Sequence, residues 1–252
     1  MVFINKICCQ SKNLLVILLV GCLGYNAAVN ANGPFLAFGI GLGLSDVGKA
    51  QTYSPELGLV NKYDFNDKIK TVGPLLKVEL GYVFAINRDN AIALGVEGAY
   101  LDYGTTSGIL RRGINISSDL NTLNYSFDSQ SYLLLAKSKL LFRKNFWLPH
   151  IALGVGASFN RLGNYSETST SPAASSPHIF QDNTKRDLAV LAEIGICQFK
   201  ADKHLDVNLG YNFIYAGSKN ALKNPVSGED SIGAGGLKAH LIVISAKFHN
   251  IV

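Results

Sequence analysis

The chain has 252 residues, of which 48% are hydrophobic and only 16% are charged, against roughly a quarter charged in a typical soluble domain. Its 23 basic and 18 acidic residues give a formal net charge of +5. This small surplus gives no case for nucleic-acid binding, which requires a concentrated basic stripe, so we predict no nucleic-acid partner.

The first 31 residues have the anatomy of a secretory signal peptide. Two lysines precede the apolar run 14–23, which is too short to span a bilayer as a helix, and small residues end in a V-x-A cleavage pattern at Ala31. Three of the four cysteines lie in this segment, so the exported chain would keep only Cys197 and no intrachain disulfide. Because Cys22 completes a sequence that resembles a bacterial lipobox, lipidation at Cys22 is the alternative to cleavage after Ala31.

Residues 32–252 form the second predicted unit, and eight segments of it alternate bulky apolar with small or charged side chains, as β-strands do. The clearest is the hairpin 75–103, whose two strands are joined by the turn residues 87–90. The other six predicted strands are 36–44, 132–142, 149–159, 188–198, 205–215 and 237–248.

The connections alternate between tight turns, at 87–90, 143–146 and 201–204, and long polar segments, at 45–74, 104–131, 160–187 and 216–236. Strict alternation places all the long connections at one end of a closed antiparallel structure and both termini at the other. We therefore predict an all-β fold: an eight-stranded antiparallel up-and-down transmembrane β-barrel with long extracellular loops and short periplasmic turns.

An exported soluble barrel of lipocalin type is the alternative, and it differs in which strand face points outward. Small residues such as Gly39, Gly95 and Gly154 would make a poor water-exposed strand face, but they fit the narrow interior of an eight-stranded barrel. This comparison favours a bulky apolar face in contact with lipid.

The predicted inward face balances its charge, with four acids and four bases: Glu79, Glu97, Glu193, Asp206, Lys77, Lys137, Lys139 and Lys247. Buried charges are costly unless they are paired, so we predict an ion-pair network that plugs the lumen. A narrow, porin-like ion-conducting channel is the alternative.

Aromatic residues gather near the predicted strand ends, as in the two interfacial girdles of membrane barrels. The predicted turn-end girdle contains Phe35, Phe84, Phe142, Phe146, Trp147 and Phe248, and the predicted loop-end girdle contains Tyr100, Tyr103, Phe159, Phe213 and Tyr215.

The segments FLAFGIGLGLS, LPHIALGVGASF and DVNLGYNFIY, with the apolar last strand ending near Phe248, resemble the opacity-like family of small bacterial outer-membrane β-barrels. The resemblance covers the whole mature chain. It implies insertion into the outer membrane by the barrel assembly machinery, which reads a C-terminal strand ending in an aromatic residue. From the pattern of strands and connections we expect a monomer in contact with membrane lipids and lipopolysaccharide, with extracellular loops and periplasmic termini.

We predict no catalytic, metal-binding or cofactor-binding residues. The G-x-x-x-x-G-K spacing at 43–49 is followed by Ala50, where a phosphate-binding loop requires Ser or Thr. The histidines are dispersed: His150 inward at the turn end, His178 in a loop, His204 at a turn, His240 outward at the loop end and His249 in the tail. The expected function is a non-catalytic surface protein that is structural or adhesive, with an unidentified extracellular ligand at its loops; a lipid-modifying enzyme using His240 is a further alternative.

Overall fold

The computed structural model describes residues 32–47, 50–54, 60–65, 69–115, 122–142, 148–170, 180–202, 205–218, 220–224 and 230–249. The predicted signal peptide with its choice between Ala31 and Cys22, the turn at 143–146, His178 and His204 lie outside the described residues. Among the described residues, no helix is long and apolar enough to cross a membrane. The strands of the described part are β1 (Gly33–Asp46), β2 (Gln51–Tyr53), β3 (Asn61–Phe65), β4 (Ile69–Ala85), β5 (Asn90–Arg111), β6 (Thr122–Phe142), β7 (Pro149–Ser169), β8 (Asn183–Asp202), β9 (Leu205–Tyr215), β10 (Ala221–Lys223), β11 (Asp230–Gly233) and β12 (Lys238–His249).

Eight of these strands form one closed antiparallel ring in the order β1, β4, β5, β6, β7, β8, β9 and β12. The ring closes between β12 and β1, which pair from Phe35 opposite His249 to Asp46 opposite Lys238. Each predicted strand corresponds to one ring strand, and β9 has the predicted bounds of 205–215. The predicted eight-stranded up-and-down barrel is therefore confirmed.

The bulky face of the ring strands points outward. Large apolar side chains are exposed on all eight ring strands, and Leu153 and Leu42 reach 69% and 64% exposure. A continuous apolar surface of this kind is unfavourable in water and matches the acyl chains of a bilayer, so the barrel is membrane-spanning. We call this surface the belt. The lipocalin alternative is wrong, because it required these side chains to point inward.

Two of the long polar segments, 104–131 and 160–187, are largely strand rather than irregular loop, which corrects the prediction. β5 and β6 stay paired from Gly104 opposite Ser129 to Arg111 opposite Thr122, and β7 extends to Ser169. In this region Leu123, Tyr125 and Phe127 alternate with Asn124, Ser126 and Asp128, and the three apolar side chains are buried. The alternation is thus present in the sequence, although the polar composition of the segment concealed it.

The ring consists of a tall wall and a short wall. The tall wall contains β5, β6, β7 and β8, with 22, 21, 21 and 20 residues, and the short wall contains β1, β12 and β9, with 14, 12 and 11 residues. β4, with 17 residues, lies between the two walls. Among the described residues, the β4–β5 pairing ends at Leu75 opposite Leu101, and the β8–β9 pairing ends at Val190 opposite Tyr215. We call the part beyond these pairs the cap. It contains the projecting ends of the tall wall and the added strands β2, β3, β10 and β11.

Candidate functional site

The centre of the lumen contains a lysine–glutamate network organised around Lys137. Its Nζ lies 2.6 Å from Oε2 of Glu97, 2.8 Å from Oε2 of Glu193 and 3.0 Å from Oε2 of Glu79. All four side chains are buried and come from β4, β5, β6 and β8, because the alternation of each strand turns these positions inward. The predicted ion pairing across the lumen is confirmed for these residues.

Two further lysines flank this centre. Lys77 Nζ lies 3.1 Å from Glu193 and 3.5 Å from Glu97. Lys139 Nζ lies 3.2 Å from Glu193 and 3.7 Å from Glu79. Three lysines thus face three glutamates, so the charges balance within the network itself and several lone pairs are satisfied by charge-assisted hydrogen bonds.

Small residues make room for these long side chains. A Cβ on Gly39 would lie 2.9 Å from Cε and Cγ of Lys77, so glycine lets the lysine stem pass β1. A Cβ on Gly195 would lie 2.7 Å from Cε1 of His150, whose Nε2 lies 2.9 Å from Oε1 of Glu193. The inward placement predicted for His150 is confirmed, and the predicted small lumen face has this steric role.

A second polar group lies lower in the lumen, where Asp206 and Lys247 are directly opposite each other in the β9–β12 register. His249 Nε2 lies 2.5 Å from Oδ2 of Asp206, and Lys247 Nζ lies 4.2 Å from the centre of the Phe35 ring. His249 was predicted in the tail, but it is the last residue of β12 and is buried. Side chains alternate between the two faces of a strand, so His249, two residues after Lys247, could have been predicted on the same inward face.

An apolar layer covers the network on the cap side, where the interior is filled by side chains that have no exposed surface: Leu75, Leu101, Leu135, Leu191 and Ile214. On the turn side, small apolar residues and Phe35 lie at the level of the second polar group, since Phe35 pairs with His249 and Ala37 with Lys247. The charged centre is therefore closed by packed side chains on both sides, apolar on the cap side and mixed on the turn side.

The aromatic girdles are only partly as predicted. Phe84 and Phe248 are exposed at the turn end, and Tyr100 packs against Tyr132 at the loop end with ring centres 5.2 Å apart. Phe35 and Tyr103 point inward and are buried, which corrects both assignments. Phe35 shares its strand face with Ala37, and Tyr103 shares its face with Leu101. The alternation of side chains along the strand therefore sets their inward direction, although both lie near a strand end. Phe146 and Trp147 lie outside the described residues.

The cap has an aromatic core that the sequence analysis missed. Tyr63 packs edge-on against Tyr125 at 5.3 Å, and Phe65 packs against Tyr125 at 5.9 Å and Phe127 at 6.3 Å. Phe180 completes the cluster at 6.3 Å from Tyr63. Such edge-to-face pairs add to the burial of apolar area, so the cap is a folded extension of the barrel.

An ion pair between partly buried Arg112 and buried Glu167 lies beside this aromatic core. Arg112 Nη2 donates to Oε2 of Glu167 at 2.7 Å, and the Tyr165 hydroxyl donates to Oε1 of the same carboxylate at 2.5 Å. Burial, reinforced by the negative charge of Glu167, raises the pKa of Tyr63 and of Tyr165 well above that of an ordinary tyrosine. The sequence analysis missed these residues because it treated 45–74, 104–131 and 160–187, which contain them, as long polar connections.

Hydrogen bonds tie the added strands of the cap together. The Gln51 side-chain amide donates to the carbonyl of Gly233 and accepts from its amide at 3.0 Å, which joins β2 to β11. Asn224 Nδ2 donates to the Tyr53 hydroxyl at 2.5 Å. Three of the four predicted long loops are linked in this way once the backbone bridge between Gln181 and Lys223 is included. The cap is thus a cross-linked body.

The outward position predicted for His240 is confirmed. Its Nδ1 lies 2.6 Å from the Tyr211 hydroxyl, and its ring centre lies 5.1 Å from that of Phe213. Among the described residues, no group of three or more His, Cys, Asp or Glu side chains is placed to hold a metal ion. The described histidines lie in three separate places, at Glu193, Asp206 and Tyr211, so they do not form one site.

No protein-family model matches the sequence, and no curated protein matches it. The structure is similar to Neisserial surface protein A, with 12% identity over 86% of this chain and 99% of that chain and a TM-score of 0.41. It is also similar to Ail, the attachment invasion locus protein of Yersinia pestis, with 14% identity, coverages of 87% and 100% and a TM-score of 0.38. A third similar structure is the outer membrane protease OmpT from Escherichia coli, with 10% identity, coverages of 90% and 99% and a TM-score of 0.44. Similarities this low assign no function, and the fold rests on the strand register described above.

Proposed function

We propose that the protein is an integral bacterial outer-membrane surface protein whose barrel anchors the cap on the outside of the cell. The observation that carries this proposal is the apolar belt around all eight ring strands, with a folded cap beyond one end of it. Both termini are then periplasmic, and the chain is inserted as a monomer by the barrel assembly machinery. Membrane lipids, including lipopolysaccharide, surround the belt.

Cell fractionation and surface proteolysis test this placement. The protein is expected in the outer-membrane fraction, with a faster gel mobility before boiling than after it. Protease added to whole cells should cut within the cap, while an epitope tag placed after Val252 stays protected until the outer membrane is opened. Free extraction as a soluble species, or a tag that is cut on whole cells, would contradict the proposal.

The role proposed for the cap is surface interaction or adhesion, because binding usually resides in connections held on a rigid scaffold. The aromatic core, the Arg112–Glu167 pair and the Gln51–Gly233 tie support it, since they hold the surface of the cap in one arrangement. Binding of whole cells to an array of glycans and matrix proteins tests this role. Replacing residues 219–236 by a short Gly-Ser linker is expected to reduce binding while the gel-mobility shift remains.

A closed lumen is part of the same proposal. The packed layer on the cap side of the Lys137 network supports it, because an ion would have to cross buried leucine side chains there. Planar-bilayer recordings of the refolded protein are expected to show no steady conductance. Unitary current steps that disappear in a Lys137→Gln variant would favour the porin-like alternative.

We also propose that the protein is non-catalytic. The dispersed positions of His150, His240 and His249 support this, since catalysis of lipid modification needs a nucleophile, a base and an orienting group together. Incubation of the refolded protein with lipid A or phospholipid, followed by mass spectrometry, is expected to return unmodified lipid. A product that is lost in a His240→Ala variant would instead identify an enzyme.

A further inference from the structure

Two exposed arginines lie just beyond the belt, on the outward face of the tall wall. Arg186 of β8 is directly opposite Phe159 of β7, and Arg161 follows Phe159 by two residues on the same face of β7. The two arginines are therefore diagonal neighbours on adjacent antiparallel strands, an arrangement that places Cβ atoms about 7 Å apart. Two long guanidinium side chains that start so close together can both reach one small anion.

The position of Arg186 is set by the aromatic girdle at the loop end. Its guanidinium carbon lies 5.2 Å from the centre of the Phe159 ring. Phe159 is in turn opposite Tyr132, whose ring packs against that of Tyr100. Within the described part of the chain, Arg186 has this ring contact and no acidic partner. Its N–H donors therefore face outward at the depth where lipid headgroups begin.

Arg161 is oriented by an acidic neighbour but is not used up by it. Its Nη2 donates to Oδ2 of Asp182 at 2.9 Å, and both side chains are about half exposed. The other carboxylate oxygen of Asp182 accepts from the backbone amide of Asn164 at 3.0 Å, which fixes the carboxylate on β7. A guanidinium group has five N–H donors, and an exposed ion pair contributes at most about 1 kcal/mol. Arg161 can therefore bind a second anion while it keeps its contact with Asp182.

Apolar surface continues below the two arginines over several strands. Leu188 lies two residues further into the belt than Arg186 and is 57% exposed. On the neighbouring strands, a groove of about 540 Å³ lies below Tyr100 and Tyr132. Gly98 keeps this groove open, since a Cβ at this position would meet no atom within 4 Å. An anionic group at the arginines, with apolar tracks on more than one strand beneath it, fits a lipid with several acyl chains.

We propose that Arg161 and Arg186, the phosphate clamp, bind a phosphate group of lipopolysaccharide, on the phosphorylated disaccharide from which its acyl chains extend. The planar guanidinium group matches the oxygens of a phosphate and forms strong charge-assisted hydrogen bonds with them. Two guanidinium groups and the single Asp182 carboxylate leave a net positive charge, which favours a phosphate monoester with a charge of about −1.5 to −2. The inference rests on the placement proposed above, because only a cap outside the cell puts the clamp in the leaflet that contains lipopolysaccharide.

Native mass spectrometry of the full chain, refolded in mild detergent, tests the clamp. The protein is mixed with equal amounts of bisphosphorylated lipid A, its fully dephosphorylated form and phosphatidylglycerol. One bisphosphorylated lipid A is expected to stay bound, in about tenfold preference over the other two lipids. The double substitution Arg161→Gln and Arg186→Gln should reduce this retention about tenfold, because both phosphate-binding groups are lost.

Two further variants separate the clamp from positive charge in general. Arg88→Gln removes an exposed arginine in the turn at the opposite end of the barrel and should leave retention unchanged. Asp182→Asn should increase the retention of bisphosphorylated lipid A, since the clamp then carries a larger positive charge. Gel mobility before and after boiling is measured for every variant, so a failed barrel is separated from a failed lipid site.

Three outcomes would overturn the proposal. The first is equal retention of the three lipids by the unaltered protein, and the second is unchanged retention in the double variant of Arg161 and Arg186. The third is displacement of lipid A by an equal concentration of inorganic phosphate, which would reduce the clamp to a general anion site. A wrong placement shows in the protease experiment on whole cells, whereas a wrong clamp shows in detergent, so the two failures are distinguishable.

Discussion

The centre of the lumen and the core of the cap are both buried, but they are held by opposite kinds of interaction. The lumen is centred on Lys137 and three glutamates, whereas the cap is centred on Tyr63, Tyr125 and Phe127. The difference follows from what surrounds each part. A barrel wall in lipid gains nothing by moving apolar side chains from acyl chains to its interior, so paired charges can occupy the lumen. The cap is surrounded by water, where burial of aromatic rings is the main stabilising term.

Lys137→Met is expected to have the largest effect, because it leaves three buried carboxylates without their central partner. Loss of one member of a buried ion pair costs about 3 to 5 kcal/mol, and we expect a decrease of that size in the free energy of unfolding. Urea titration of the barrel in lipid vesicles, followed by gel mobility without boiling, measures it. Ser138→Met changes the neighbouring outward residue of β6 and should be nearly neutral. If both variants lost the same stability, the lumen charges would have no special role.

Phe127→Ala is expected to have the next largest effect, but in the cap alone. The Phe127 side chain has no exposed surface and packs against Phe65 and Tyr125, so its truncation should destabilise the cap by about 3 kcal/mol. Limited proteolysis should show faster cleavage in the cap, while the mobility shift of the barrel is unchanged. Phe127→Leu keeps most of the buried volume and should cost about 1 kcal/mol. Loss of the mobility shift in Phe127→Ala would mean that the cap and barrel fold as one unit.

Alkaline pH should open the cap before the lumen. Burial raises the pKa of Tyr63 and Tyr165, so the folded hydroxyls stay protonated when those of the unfolded chain ionise. Their stabilisation is present below pH about 10 and is lost as pH rises above it, by up to about 1.4 kcal/mol per pH unit for each tyrosine. Protease sensitivity of the cap between pH 8 and 12 measures this effect, and Tyr165→Phe should weaken the pH dependence. Unchanged resistance up to pH 12 would contradict it.

The barrel could be predicted from the sequence, and the cap could not. Strict alternation along residues such as Lys77, Glu79, Lys137 and Glu193 sets the face of each side chain, and the narrow ring then brings opposite strands within reach. In the cap, the partner of Glu167 is Arg112, which lies 55 residues away and beyond the end of β5. No local sequence pattern pairs two residues so far apart in the chain, because the contact depends on the tertiary arrangement of the tall wall and the short wall.

The hydrogen bonds between Gln51 and Gly233 give the most sensitive test of the difference between the cap and the lumen, because Gln51 contributes only polar contacts to the cap. Gln51→Ala removes both the acceptor of the Gly233 amide and the donor to the Gly233 carbonyl, and the loss of the two hydrogen bonds should cost about 2 kcal/mol. Hydrogen exchange of the Gly233 amide should then accelerate about thirtyfold, while amides of β6 next to Lys137 are unaffected. Thr52→Ala, at the exposed neighbouring residue, is the matched control. Equal acceleration in both variants would show that β2 holds β11 through its backbone packing and not through the Gln51 side chain.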